Sequence, residues 1–105
     1  MTTIGHLING DIITEGTRSQ DVFNPATGEV SKKVDLASKT TVEEAIAAAQ
    51  AAFPAWRDTP PIKRARIMFK FKELLEQHAD RICELVGEEH GKIVHDAAGE
   101  LQRGK

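Results

Sequence analysis

The chain of 105 residues has room for one small domain or a piece of a larger one. Its 14 basic and 16 acidic side chains leave a formal net charge of −2, which excludes whole-chain electrostatic attraction to nucleic acid. A single cysteine excludes an internal disulfide and a four-cysteine zinc site, and no apolar run approaches the ~18 residues that span a bilayer.

Met1 to His6 carry neither a basic n-region nor a hydrophobic continuation, and they lack the Arg- and Ser-rich character of a transit peptide. The chain therefore reads as cytoplasmic, with no membrane and no nucleic-acid partner. Its pattern changes near residue 38, and 1–38 read as a strand and hairpin segment. Asn9-Gly10 is a two-residue hairpin signal that predicts paired strands at His6–Asn9 and Asp11–Thr14. Asn24-Pro25-Ala26-Thr27-Gly28 predicts a second turn, joining a strand at Asp21–Phe23 to one at Glu29–Asp35.

From residue 39 to 105 the apolar spacing is helical. Val42, Ala45, Ile46, Ala49, Phe53 and Trp56 follow a 3.6-residue stripe, with Thr41 and Glu44, or Thr40 and Glu43, as a capping box. Pro54 is expected to end or bend this helix, and Thr59-Pro60-Pro61 to start the next. That second helix, over about 61–78, would turn Ile67, Phe71, Leu74 and Leu75 inward. Asp80 is the expected cap of a third helix, which Gly91 stops. A fourth, over roughly 93–103, carries Val94, Ala97, Ala98 and Leu101 on one face. The fold class is thus an α+β fragment, hairpin-like strands followed by about four α-helices. Such an order closes poorly on itself and the last helix has no stop signal, so the expectation is an incomplete N-terminal part of one domain.

The polar residues offer few candidates for chemistry. His6, His78, His90 and His95 lack metal-ligand spacing, so no metal site is expected. Cys83 sits beside an apolar stripe with no nearby histidine to activate it, and reads as a small hydrophobe. Lys63, Arg64, Arg66, Lys70 and Lys72 form a basic helix side, read as solvated surface in preference to a phosphate-binding face. No glycine-rich phosphate loop occurs, so no cofactor-binding residue can be named. Arg103 has two readings: a surface ion pair with Glu100, or a guanidinium held for a small carboxylate. Spacing alone favours the ion pair.

Several segments, in order, resemble the beginning of an aldehyde dehydrogenase. They are Ile8-Asn9-Gly10, Phe23 to Val30, Val42-Glu43-Glu44-Ala45-Ile46, Ala51 to Trp56, Arg64-Ala65-Arg66-Ile67 and Gly91-Lys92. Met68 to Leu75, Glu89-His90-Gly91-Lys92 and Gly99 to Gly104 resemble one branch, the CoA-acylating methylmalonate-semialdehyde dehydrogenases. The resemblance implies part of an α/β cofactor-binding domain and a parent that uses NAD and CoA. That parent would convert methylmalonate or malonate semialdehyde to propionyl- or acetyl-CoA in valine breakdown. It also implies that Arg103 binds the substrate carboxylate, and that no catalytic residue lies in this segment because the nucleophilic cysteine stands further along. Cys83 does not match that nucleophile. The expected partners are the remainder of the parent chain and a small semialdehyde, in a homo-oligomeric parent, with no cofactor bound by the segment alone. Two alternatives remain at this point: a non-acylating NAD(P)-dependent aldehyde dehydrogenase, and a stand-alone helical binding module using the basic face.

Overall fold

The structure is a computed structural model that describes residues 2–105. It contains five short strands and four helices. They divide into two compact units: the described residues up to Phe23 with Val30–Thr59, and Asn24–Glu29 with Pro60–Lys105.

In the first unit, β2 (His6–Ile8) and β3 (Asp11–Ile13) pair antiparallel across Asn9-Gly10. Both turn residues have positive φ, 51° and 84°, the type I′ geometry whose twist matches that of the strands. A second sheet has the order β1-β5-β4, from β1 (Thr3–Ile4), β4 (Ser19–Phe23) and β5 (Val30–Asp35). β4 runs antiparallel to β5 with a register shift between Val22 and Phe23, whereas β1 runs parallel to β5. The parallel edge strand was outside the hairpin expectation, because two residues carry no readable alternation.

Asp35, at the end of β5, is 2% exposed. Its carboxylate accepts hydrogen bonds from the Glu15 and Gly16 backbone N–H groups at 2.7 and 3.0 Å, and His6 Nε2 lies 3.2 Å from it. The Glu15 N–H above all, with Gly16 and His6 adding to it, holds the Asp35 carboxyl below its ordinary value against the opposing effect of burial. The same loop aims Glu15 at the start of α1 (Lys39–Asp58). There Ser38 donates its backbone N–H and its hydroxyl to Glu15 Oε1, at 2.9 and 3.1 Å. The Thr41 hydroxyl, with these Ser38 donors, keeps the Glu15 carboxyl below its usual range.

One sequence expectation for α1 is corrected, and of the two effects expected of Pro54, ending the helix is not observed. Its N-cap is Ser38, whose Oγ accepts from the Thr41 N–H at 3.2 Å, so neither Thr40 nor Thr41 is the cap. Thr41 is instead a buried third residue of the helix. Pro54 does not end the helix, which continues to Asp58. A proline withdraws a single donor, and the turn beyond it is held by the Thr59 N–H and hydroxyl on Ala55 O, at 3.1 and 2.7 Å. Arg57 also lies over the Phe53 ring, 5.6 Å from its centroid. The stop comes at Thr59, extended at φ −67° and ψ 128° ahead of Pro60, as the residue before a proline prefers.

In the second unit, α2 (Pro61–Gln77) starts with proline at its first position. His78 serves both as its C-cap and as the N-cap residue of α3 (Ala79–His90). Asp80 is therefore not the cap. It lies in the first turn of α3, where a negative charge complements the helix dipole. Gly91 ends α3 with φ 80°, donating to Gly87 O at 2.9 Å, as the sequence predicts. α4 (Val94–Gly104) follows, with Ala97 1% exposed, and Cys83 of α3 is buried. The faces of α1 and α2 read as inward are open: Ile46 is 60% exposed, Phe53 57%, and Ile67 and Phe71 53%.

Two outcomes follow from this wiring. Asp35→Asn should lower the melting temperature at neutral pH. Because the native carboxyl sits below its ordinary 3.8, its contribution is complete above about pH 4 and is lost as the pH falls through the lowered value. Thermal melts of both proteins should therefore converge in acid. Gly91→Ala forces a Cβ into left-handed backbone, 3.1 Å from Pro25 Cγ, and should cost about 1–2 kcal/mol in denaturant unfolding.

Candidate functional site

The residues with chemical potential gather around α4. The left-handed Gly91 turns the chain out of α3 and presents Lys92, whose side chain is 25% exposed. Gly87 faces this connection closely, since a Cβ there would stand 3.3 Å from Lys92 O. Lys92 Nζ donates to the Glu100 carboxylate, an ion pair across eight residues that joins the segment before α4 to its second turn. This ammonium is the first cause of a lowered Glu100 pKa. Partial burial opposes it, and Arg103 and His90 reinforce it through space.

Arg103 occupies the last turn of α4, where a cation complements the C-terminal end of the helix dipole. It is exposed and makes no hydrogen bond or ion pair among the described residues. Its guanidinium is drawn back toward Gly99, where an added Cβ would lie 3.8 Å from Nη1. The Glu100–Arg103 ion pair favoured by spacing is therefore not formed, because Glu100 is engaged by Lys92. Spacing does not reveal that competitor, since a contact at i, i+8 depends on how a loop folds back.

A groove of about 470 Å³ lies between α3 and α4, lined by Cys83, Glu84, Val94, Ala98, Leu101 and Gln102 among others. Arg103 is not part of its lining, so the candidate anion site is a surface feature distinct from this groove. Cys83 is buried, in keeping with its reading as a small hydrophobe. On the basic side of α2, Lys70 pairs with Glu73 at 3.3 Å and Lys72 with Glu76 at 3.7 Å, which supports the solvated-surface reading. Among the described residues no group of three or more His, Cys, Asp or Glu is placed to hold a metal ion, and no helix is long and apolar enough to cross a membrane.

The sequence pattern of the aldehyde dehydrogenase family matches residues 12–105. The chain is 59% identical over 104 residues to the malonate-semialdehyde dehydrogenase of Pseudomonas aeruginosa, covering 99% of this chain and 21% of that protein. It is 46% identical over 104 residues to malonate-semialdehyde dehydrogenase 1 of Geobacillus kaustophilus, covering 98% of this chain and again 21% of the relative. Among solved structures, the methylmalonate-semialdehyde dehydrogenase of Oceanimonas doudoroffii superposes with a TM-score of 0.97 at 77% identity, over 99% of this chain and 21% of that one. A protein from Sinorhizobium meliloti, described as a methylmalonate-semialdehyde dehydrogenase and complexed with NAD, gives 0.95 at 41% identity with the same coverage. The chain thus spans about a fifth of the length of the relatives it matches. Its strands and helices correspond to the N-terminal part of those folds.

Proposed function

The chain belongs to the aldehyde dehydrogenase family, and from that premise we propose that it is the N-terminal portion of an NAD-dependent, CoA-acylating oxidoreductase. The proposed reaction converts methylmalonate or malonate semialdehyde to propionyl- or acetyl-CoA, with release of the substrate's carboxyl carbon. The names of its relatives support the substrate class, and the NAD complex of a 41% identical neighbour supports the nucleotide.

No residue of this segment is proposed as a cofactor ligand. The glycines with positive φ, Gly10, Gly16, Gly28 and Gly91, sit singly in turns, none in a glycine run leading into a helix. No step is therefore assigned to NAD or CoA through this segment, which is read as catalytically inert by itself. The nucleophilic cysteine is assigned to the remainder of the parent chain. The same reading places the parent in the cytoplasm as a homo-oligomer.

The contribution assigned to this segment is substrate orientation by Arg103. The observation that carries it is the unpaired Arg103 guanidinium beside a Glu100 already committed to Lys92. A guanidinium offers parallel N–H donors that match a carboxylate, so it can fix the charged end of a semialdehyde and leave the carbonyl free to meet a nucleophile. A neutral aldehyde gains nothing from that contact.

Arg103→Leu in the full-length enzyme should lower kcat/KM for malonate semialdehyde by about 10- to 100-fold, the worth of a charged hydrogen-bonding partner, and spare propanal. Equal losses for both aldehydes would remove the carboxylate role. Product formation by the full-length enzyme should require CoA, and the isolated 105 residues should generate no NADH. Turnover to a free acid without CoA would favour the non-acylating alternative.

A further inference from the structure

Two cations and one carboxylate meet along α4. Glu100 stands three residues before Arg103, the spacing at which opposite charges on a helix find each other. Its carboxylate is nevertheless held by Lys92, from the connection that Gly91 shapes. The ammonium is a compact charge with three donors, suited to saturating a carboxylate from the side. His90 also faces Glu100, at through-space range.

We propose that Lys92 is a positioning residue for Arg103: by occupying Glu100, it keeps the neighbouring guanidinium open to the carboxylate of the substrate. The inference rests on the reading of Arg103 given above. Its physical basis is competition. A carboxylate tethered on the same helix meets the guanidinium without losing translational freedom, whereas a substrate carboxylate must give that freedom up. Left unengaged, Glu100 would be the favoured partner, and the Glu100–Arg103 pair would present no net charge to an incoming anion. With Lys92 in place the trio carries a net positive charge, and the cation nearest the helix terminus is the unpaired one. The role is specific to anionic substrates, since it changes the availability of Arg103 and nothing at the reacting carbonyl.

The test compares Lys92→Met, Lys92→Arg, Glu100→Gln and the double variant Lys92→Met/Glu100→Gln in the full-length enzyme, with malonate semialdehyde and propanal. Lys92→Met should raise KM for malonate semialdehyde by about two- to fivefold, the scale of a partly exposed helix ion pair, with kcat and propanal kinetics unchanged. Lys92→Arg should keep the native KM. The double variant should recover it, because the competitor is gone. A native KM in Lys92→Met, a double variant as impaired as the single one, or an equal loss with propanal would each overturn the proposal. Arg103→Leu, run alongside, separates the two ideas. A selective loss there with Lys92→Met unaffected removes only the role of Lys92, while equal losses in Arg103→Leu remove the carboxylate site itself.

Discussion

A carboxylate withdrawn from water at the end of a strand organises the first unit. Leaving Asp35 charged at 2% exposure requires donors to replace its hydration, and they come from the Glu15 and Gly16 backbone, with the imidazole of His6 3.2 Å away. That requirement fixes the loop after β3. Once the loop is fixed, Glu15 projects to Ser38, and Ser38 caps α1. The hairpin, the three-stranded sheet and the first helix are thus wired through two acidic residues, with little apolar burial. Cys83 and Ala97, the fully buried hydrophobic residues among those described, both belong to the second unit.

The second unit follows the same electrostatic logic nearer the surface. Lys92 pairs with Glu100, and this leaves Arg103 as a cation with no ion pair among the described residues. An isolated exposed ion pair contributes little to stability, so this pair matters more for which charge remains available than for holding the helix in place. The acids along α2 act differently, since Glu73 and Glu76 take up Lys70 and Lys72 within single turns.

Much of the local structure was legible in the sequence because it rests on short-range rules. Asn9-Gly10, Pro61 and Gly91 each impose a backbone geometry that tertiary context has no reason to override. The caps were misread where a competing acceptor or neighbour decided the matter: Ser38 precedes the threonines that matched a capping box, and His78 bridges two helices ahead of Asp80. Periodicity groups the apolar residues of α1 and α2 into stripes but carries no information about what lies against them, which is why Ile67 and Phe71, read as inward, are half open. At the candidate site Arg103 itself was legible, but the cation that takes up its neighbour Glu100 was not. The Lys92–Glu100 contact depends on a loop reversing direction, and no residue spacing encodes that.

The near-complete burial of Ala97 carries a mechanical consequence. A side chain at 1% exposure has no free space around it, and Arg103 lies six residues further along the same helix, about 9 Å downstream. Tilting the rod by some 10° about that pivot would sweep its far end by about 1.5 Å, a displacement large enough to spoil a bidentate grip on a small anion. Added volume at position 97 would therefore be felt at the far end of α4, more than a turn away.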